Sequence, residues 1–195
     1  MKNERIDIRF GVIALFILTA AFCRLIPHPA NFAPIGAMAL FGAAHFKSKW
    51  AAFIVPLLSL WLSDLVVTNI LYASHYKTFT LFYGGFYWVY GAIVLTTLLG
   101  LFMLKKVNVG TVAGSGIAAS LLFFIITNFG SWPGNSLYSQ DLNGLIACYV
   151  AGIPFFSGTL AGNLFYSAVL FGGFALAQKQ FPVLRPVESY SEVQA

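Results

Sequence analysis

Charge is what this chain has least of. Of its 195 residues 9% are charged, with six acidic side chains, eleven basic ones and three histidines, whereas a soluble domain carries about 25% charged residues. So little charge beside 59% hydrophobic residues excludes an ordinary soluble domain and implies an integral membrane protein. Cysteine is nearly absent. Cys23 and Cys148 build no disulfide framework, each reads as a small apolar packing group, and no His/Cys pair has the spacing of a structural zinc site. There is no Walker-type glycine loop, so any ATP-driven step needs partner subunits. The basic residues that give the net charge of +5 fall in short clusters between apolar runs, where they set topology and do not point to nucleic acid. No signal-peptide cleavage site follows the first apolar run, which therefore reads as an uncleaved helix.

What is present is a succession of apolar runs. A spanning helix needs about 20 apolar residues, and the spans are expected over about 10–25, 34–46, 50–72, 83–104, 109–129 and 159–177 of one transmembrane domain covering 1–195. The second, with small residues such as Ala39 and Ala43 one turn apart, admits close helix approach. The stretch 144–156, interrupted by Pro154, is short for a span and reads as re-entrant or interfacial; residues 187–195 read as a disordered tail. With six spans and both termini cytoplasmic, nine basic residues lie inside and only Arg24 and Lys77 outside, as the positive-inside rule requires. The fold class is thus an all-α membrane protein of six transmembrane helices.

Between the first two runs lies RLIPHPANFAP, residues 24–34. Pro27, Pro29 and Pro34 fix their own φ, lack an N–H and push their predecessors toward extended backbone, so this is a stiff non-helical crossing. The orientation collects Arg24, His28, Asn31, Asn69, Tyr72, His75, Tyr83, Tyr87, Asn128 and Trp132 on the outer side. Asp64 lies within the third span, where a carboxylate costs several kcal/mol and marks a partner or a function. It reads either as a structural pair with Arg24 or as part of a ligand site. Tyr83, Tyr87 and Tyr90 share a helical face, with Tyr87 and Tyr90 expected to turn into the bundle. The expected binding residues are Arg24, His28, Asn31, Asp64, Tyr72, Tyr87 and Trp132, with His28 or His75 as candidate cobalt ligands and no catalytic residue. Ala113-Gly-Ser-Gly116 is a poor match to a rhomboid serine motif, and Ser115 reads as a helix-packing residue.

RLIPHPANFAPIGAMALFGAAHF at 24–46, WLSDLVVTN at 61–69, TNFGSW at 127–132 and LIACYVAGIPFFSGTLAGNLFY at 145–166 together resemble the BtuM-like solitary substrate-binding components of energy-coupling-factor (ECF) transporters and a related group of uncharacterised bacterial membrane proteins. The resemblance implies a six-helix protein of the bacterial cytoplasmic membrane, contacting lipid, that captures a vitamin-type small molecule from the outer face. A corrinoid, cobalamin first, is the implied transported ligand, and no intrinsic cofactor is implied. The chain departs from the family in lacking a cysteine over Ser74–Phe82, where related proteins ligate cobalt. It is also neutral at Ser157 and Asn163, where an arginine and an aspartate are usual. The first span lacks the Ala-xxx-Ala signature with which ECF substrate-binding components dock their transmembrane partner, which leans toward solitary function over coupling to an ECF ATPase module. Three expectations follow: uptake of a corrinoid, transport of a different small solute on the same fold, or a corrinoid-modifying enzyme or membrane assembly factor.

Overall fold

The computed structural model describes residues 2–76 and 78–186; Lys77 and the tail 187–195 lie outside the described residues. Six helices follow in order: α1 (Lys2–Phe22), α2 (Ile35–His45), α3 (Lys49–Val66), α4 (Phe86–Met103), α5 (Val109–Ser131) and α6 (Leu142–Gln180), and among the described residues no strand occurs. Five of them, all but α2, are long and apolar enough to cross a membrane. Their outward faces carry exposed Leu15, Leu58, Leu98, Leu121 and Val169, a surface suited to lipid and not to water.

Local chemistry sets the helix ends. Ser48 caps α3, Asn108 and Thr111 form a reciprocal capping box on α5, and Asp141 accepts from Gly144 N at the start of α6. That backbone bond, with the Ser139 hydroxyl, holds the Asp141 carboxyl below its ordinary pKa, so it stays an anion at the positive end of the helix dipole.

Successive helices run antiparallel. At one end Arg9 of α1 donates to the carbonyls of His45, closing α2, and Leu184, just after α6. Lys47, Lys49, Lys105, Lys106, Lys179 and Arg185 lie near this basic end. At the other end Trp88 of α4 packs on Gly130 of α5, and midway along the bundle Asn163 of α6 meets Ser120 of α5.

The core is organised around α2. Gly36 to Ala43 are all buried, because α1, α3, α4 and α6 surround this helix. Phe41 meets Phe16, Phe171 and Phe174 with ring centroids 6.0, 5.3 and 5.5 Å away. A Cβ on Gly100 of α4 would lie 2.8 Å from the Ala43 methyl, and Gly42 faces Pro56 of α3. Small residues therefore let the helices approach closely. Eleven residues at ~1.5 Å each make α2 about 16 Å long, roughly half a bilayer core. Its apolar character reflects burial in protein on every side.

One expectation is corrected. The stretch 144–156 and the run 159–177 are not separate elements: both belong to the single helix α6, 39 residues long. Pro154 removes one backbone donor, and its own carbonyl accepts from the Ser157 hydroxyl. The loss of one bond does not end a helix whose flanking turns pack on α5. Tyr149 donates to Ile125 O and Cys148 lies 3.3 Å from Asn128 O.

The crossing 26–34 lies on α6. The Phe32 ring packs, tilted, against Phe165 and Tyr166, and the backbones of Ala30 and Ala33 rest on Gly158 and Gly162. Any side chain at Gly158 would collide with the Ala30 carbonyl. Gly158→Ala should therefore cost about 1–3 kcal/mol, whereas Gly172→Ala, with nothing within 4 Å of the added methyl, should be neutral or stabilise by up to ~1 kcal/mol. Thermal unfolding of both variants in detergent checks this; equal melting temperatures would refute the close approach.

Candidate functional site

A carboxylate inside an apolar helix needs partners, and Asp64 has three. The Arg24 guanidinium donates through Nη1 to Asp64 Oδ1 at 2.6 Å and to Ser63 Oγ at 2.7 Å, and the Tyr90 hydroxyl donates to Asp64 Oδ2 at 2.9 Å. The Ser63 hydroxyl donates to Leu60 O, which leaves a lone pair for Arg24. Asp64 is only 4% exposed, so the ends of α1 and α3 and the start of α4 are tied at one buried point.

On the far side of Arg24 opens a cleft of about 680 Å³. Arg24, Ile26, His28 and Asn31 form one wall, Val67, Leu71 and Tyr72 another, and Phe123, Thr159 and Asn163 the floor, with Ile35 and Gly36 of α2 between. A smaller space of about 270 Å³ continues from Asn31, Phe123 and Thr159 toward Asn128 and Gly152.

Each wall owes its position to irregular backbone. In the crossing, Phe32 N bonds Pro29 O and Ala33 N bonds Asn31 O. This places Asn31 at φ 59°, a left-handed conformation that asparagine tolerates better than most residues. His28 Nδ1 lies 2.9 Å from Pro29 O. A carbonyl only accepts, so this nitrogen carries the proton and Nε2 is left to meet a ligand. After α3 the helix widens into a π turn, Val67–Leu71, closed by Tyr72 N to Val67 O at 2.9 Å, and such turns recur at functional sites. Asn69 exchanges two bonds with the Thr80 backbone and so fastens the following loop beside the turn.

Asn163 is the residue that sequence reasoning missed. It is 2% exposed and gives its Nδ2 to Ser120 Oγ at 2.9 Å, while Ser120 donates to Gly116 O. Since the serine proton is spent, the amide must present nitrogen to Ser120, and Oδ1 lies against Gly36 in the lining of the cleft with no donor among the described residues. The available signal was an amide within an apolar run, beside the small residues Gly158 and Gly162.

Of the expected residues, Arg24, His28, Asn31 and Tyr72 converge on the cleft. Asp64 stands behind Arg24 and does not line the cavity. Tyr87 is corrected: it is 60% exposed, beside Phe86 and Trp88, and it is Tyr90 that turns inward. Trp132 is also away from the cleft, its indole N–H donating to Ser139 O at 2.8 Å to close the loop before α6. His75 lies outside the cleft against Tyr72 and Ser74. Among the described residues no group of three or more His, Cys, Asp or Glu could hold a metal.

The family described as a family of unknown function, DUF6580, matches residues 4–184. No curated protein and no solved structure matches the chain.

The ion pair predicts strong coupling. Removing either partner leaves a buried charge alone, so Arg24→Ala and Asp64→Ala should each destabilise by about 3–5 kcal/mol, and the double variant should lose far less than their sum. A double-mutant cycle on unfolding in detergent measures this. Additive losses would show that the two groups stabilise independently.

Proposed function

Since the chain belongs to DUF6580, a family that brings no activity with it, we propose from its own residues that it is a multi-pass protein of the bacterial cytoplasmic membrane that captures a small organic solute at an outward-facing cleft for uptake. The observation that carries this reading is the cleft itself: largely apolar walls with a few convergent polar groups, in the size range of ~300–1,000 Å³ typical of small-molecule sites. Its irregular walls support the same reading, since non-helical backbone at membrane depth belongs where it is buried in protein or lines a cavity. The clustering of basic residues at the opposite end supports cytoplasmic termini and an outward cleft.

The architecture we infer is that of an S-component, with six crossings in which α2 and the extended stretch before it together make the second. In mechanism, the solute enters over His28 and Tyr72 and settles against Val67, Leu71 and Phe123. Return of the π turn to α-helical register turns Leu71 and Tyr72 by about 100°, one residue's step in a helix of ~3.6 residues per turn, and so changes the mouth. No nucleotide loop is part of this chain, so uptake is either solitary, which we favour, or coupled to a separate ECF ATPase module.

Between the two solute readings, the cleft of about 680 Å³ favours a molecule of ordinary ligand size over a corrinoid, which would be seated only in part. His28 Nε2 is the one nitrogen in the cleft suited to cobalt, so it is the residue on which the corrinoid reading rests.

Native mass spectrometry of protein purified from bacterial membranes, followed by uptake of the retained compound, tests the proposal. Wild type should carry a solute whose occupancy falls at least tenfold in Leu71→Trp or Val67→Trp, which fill the cleft. A retained corrinoid would replace the smaller-solute reading. Equal retention and equal uptake by wild type and both filled variants would remove the cleft from the function.

A further inference from the structure

Two parts of the cleft's lining carry donors that no described protein group accepts. Arg24 uses only Nη1 on Ser63 and Asp64, neither of which lines the cavity. No described protein group accepts from its Nε and Nη2, the edge with which a guanidinium grips a planar carboxylate through two parallel bonds. The start of α2 is in the same condition. Its first backbone bond is Met38 N to Pro34 O, and it has no side-chain cap. The N–H groups of Ile35, Gly36 and Ala37 therefore have no partner among the described residues. Ile35 and Gly36 line the cleft. Orphan donors at a buried helix start, where the dipole is positive, favour an anion. The third observation is Asn163, more than nine-tenths buried. Its Nδ2 is taken by Ser120, and its Oδ1 reaches the cleft with no protein donor among the described residues.

Resting on the reading of this cleft as a solute site, we propose that its ligand is a small organic carboxylate. The acid group binds between the free edge of Arg24 and the first N–H groups of α2, an apolar body lies on Val67, Leu71 and Phe123, and a hydrogen-bond donor meets Asn163 Oδ1. Asp64 does not oppose this. Its charge is already balanced by Arg24 and further satisfied by Tyr90, and the Arg24 guanidinium stands between it and the cavity. A neutral amide of the same shape meets the same walls but gives Arg24 one carbonyl oxygen in place of two and turns an N–H toward the cation.

The test is binding of matched acids and primary amides, butanoate, 3-phenylpropanoate and 2-naphthoate with their carboxamides, to the full chain in nanodiscs by calorimetry. At least one acid should bind ten times more tightly than its amide. Arg24→Lys, which keeps a cation for Asp64 but loses the planar fork, should weaken that acid at least tenfold and the amide less than twofold. Val67→Trp should abolish both. Amides binding as well as acids, no acid in the set binding, or equal loss of acid and amide in Arg24→Lys would overturn the carboxylate assignment. Acid-selective binding by a protein that shows no uptake would leave the assignment intact and remove transport instead.

Discussion

The bond between Arg24 and Asp64 is the constraint on which the rest of this end of the molecule depends. A lone carboxylate within a membrane helix is strongly unfavourable, so wherever α3 packs, a cation must come to it. Arg24 can do so only because α1 ends at Phe22 and the chain turns there. Tyr90 completes the set from α4. Three elements distant in sequence are thereby fixed within one hydrogen-bonded group, and the cleft opens on the unused side of its arginine. By holding Nη1, the carboxylate fixes the guanidinium at the lining of the cleft and leaves its Nε and Nη2 without a protein acceptor among the described residues.

A second constraint concerns backbone. Peptide groups outside helices need other partners or solvent: the crossing 26–34 bonds itself through Phe32 N to Pro29 O and Ala33 N to Asn31 O, keeps residues 26–31 exposed, and rests on α6. The glycines at 158 and 162 are what make the contact possible, since their missing side chains leave room for the carbonyl of Ala30 and the backbone of Ala33. The same contact brings Asn31, Thr159 and Asn163 to a common cavity. Packing and site are thus two results of one small-residue stripe.

Much of this was legible in residue order. Scarcity of charge implied apolar helices, the prolines implied an extended crossing, and Arg24 and Asp64 were candidates to pair because each was a rare charge near an apolar run. Other features were hidden for physical reasons. Pro154 reads as a helix break because propensity counts the bond it loses, whereas the packing of α6 on α5 offsets that loss and the helix runs on. The short run 34–46 reads as a complete span because helices facing lipid and helices buried in protein are equally apolar; only its length shows that α2 is too short to be one by itself. Tyr87 and Tyr90 sit three residues apart, about 60° around a helix at ~100° per residue. At the edge of a bundle that angle puts one phenol on the carboxylate and the other outside. Asn163 was seen only as a departure from an expected charge, since nothing in the sequence tells which serine receives its amide nitrogen.

The two ends of the bundle use their arginines differently, and the difference argues for where ligand chemistry belongs. At the basic end Arg9 donates to the carbonyls of His45 and Leu184, and Arg185 donates to those of Gln178 and Lys179. These are backbone acceptors left over where helices finish, and with them the cations close the structure. At the other end α2 begins with no side-chain cap, and Arg24 is met by protein acceptors at Nη1 alone among the described residues. Three other helix starts are provided for: Ser48, Asn108 and Asp141 each supply an oxygen to the helix that follows, while α4, like α2, begins without a side-chain cap, after Gly85. Pro34, at the corresponding place before α2, has no such oxygen to give. Of the two uncapped starts, that of α2 is the one that lines the cavity, through Ile35 and Gly36, so water or another occupant of the cleft can supply the acceptor it lacks.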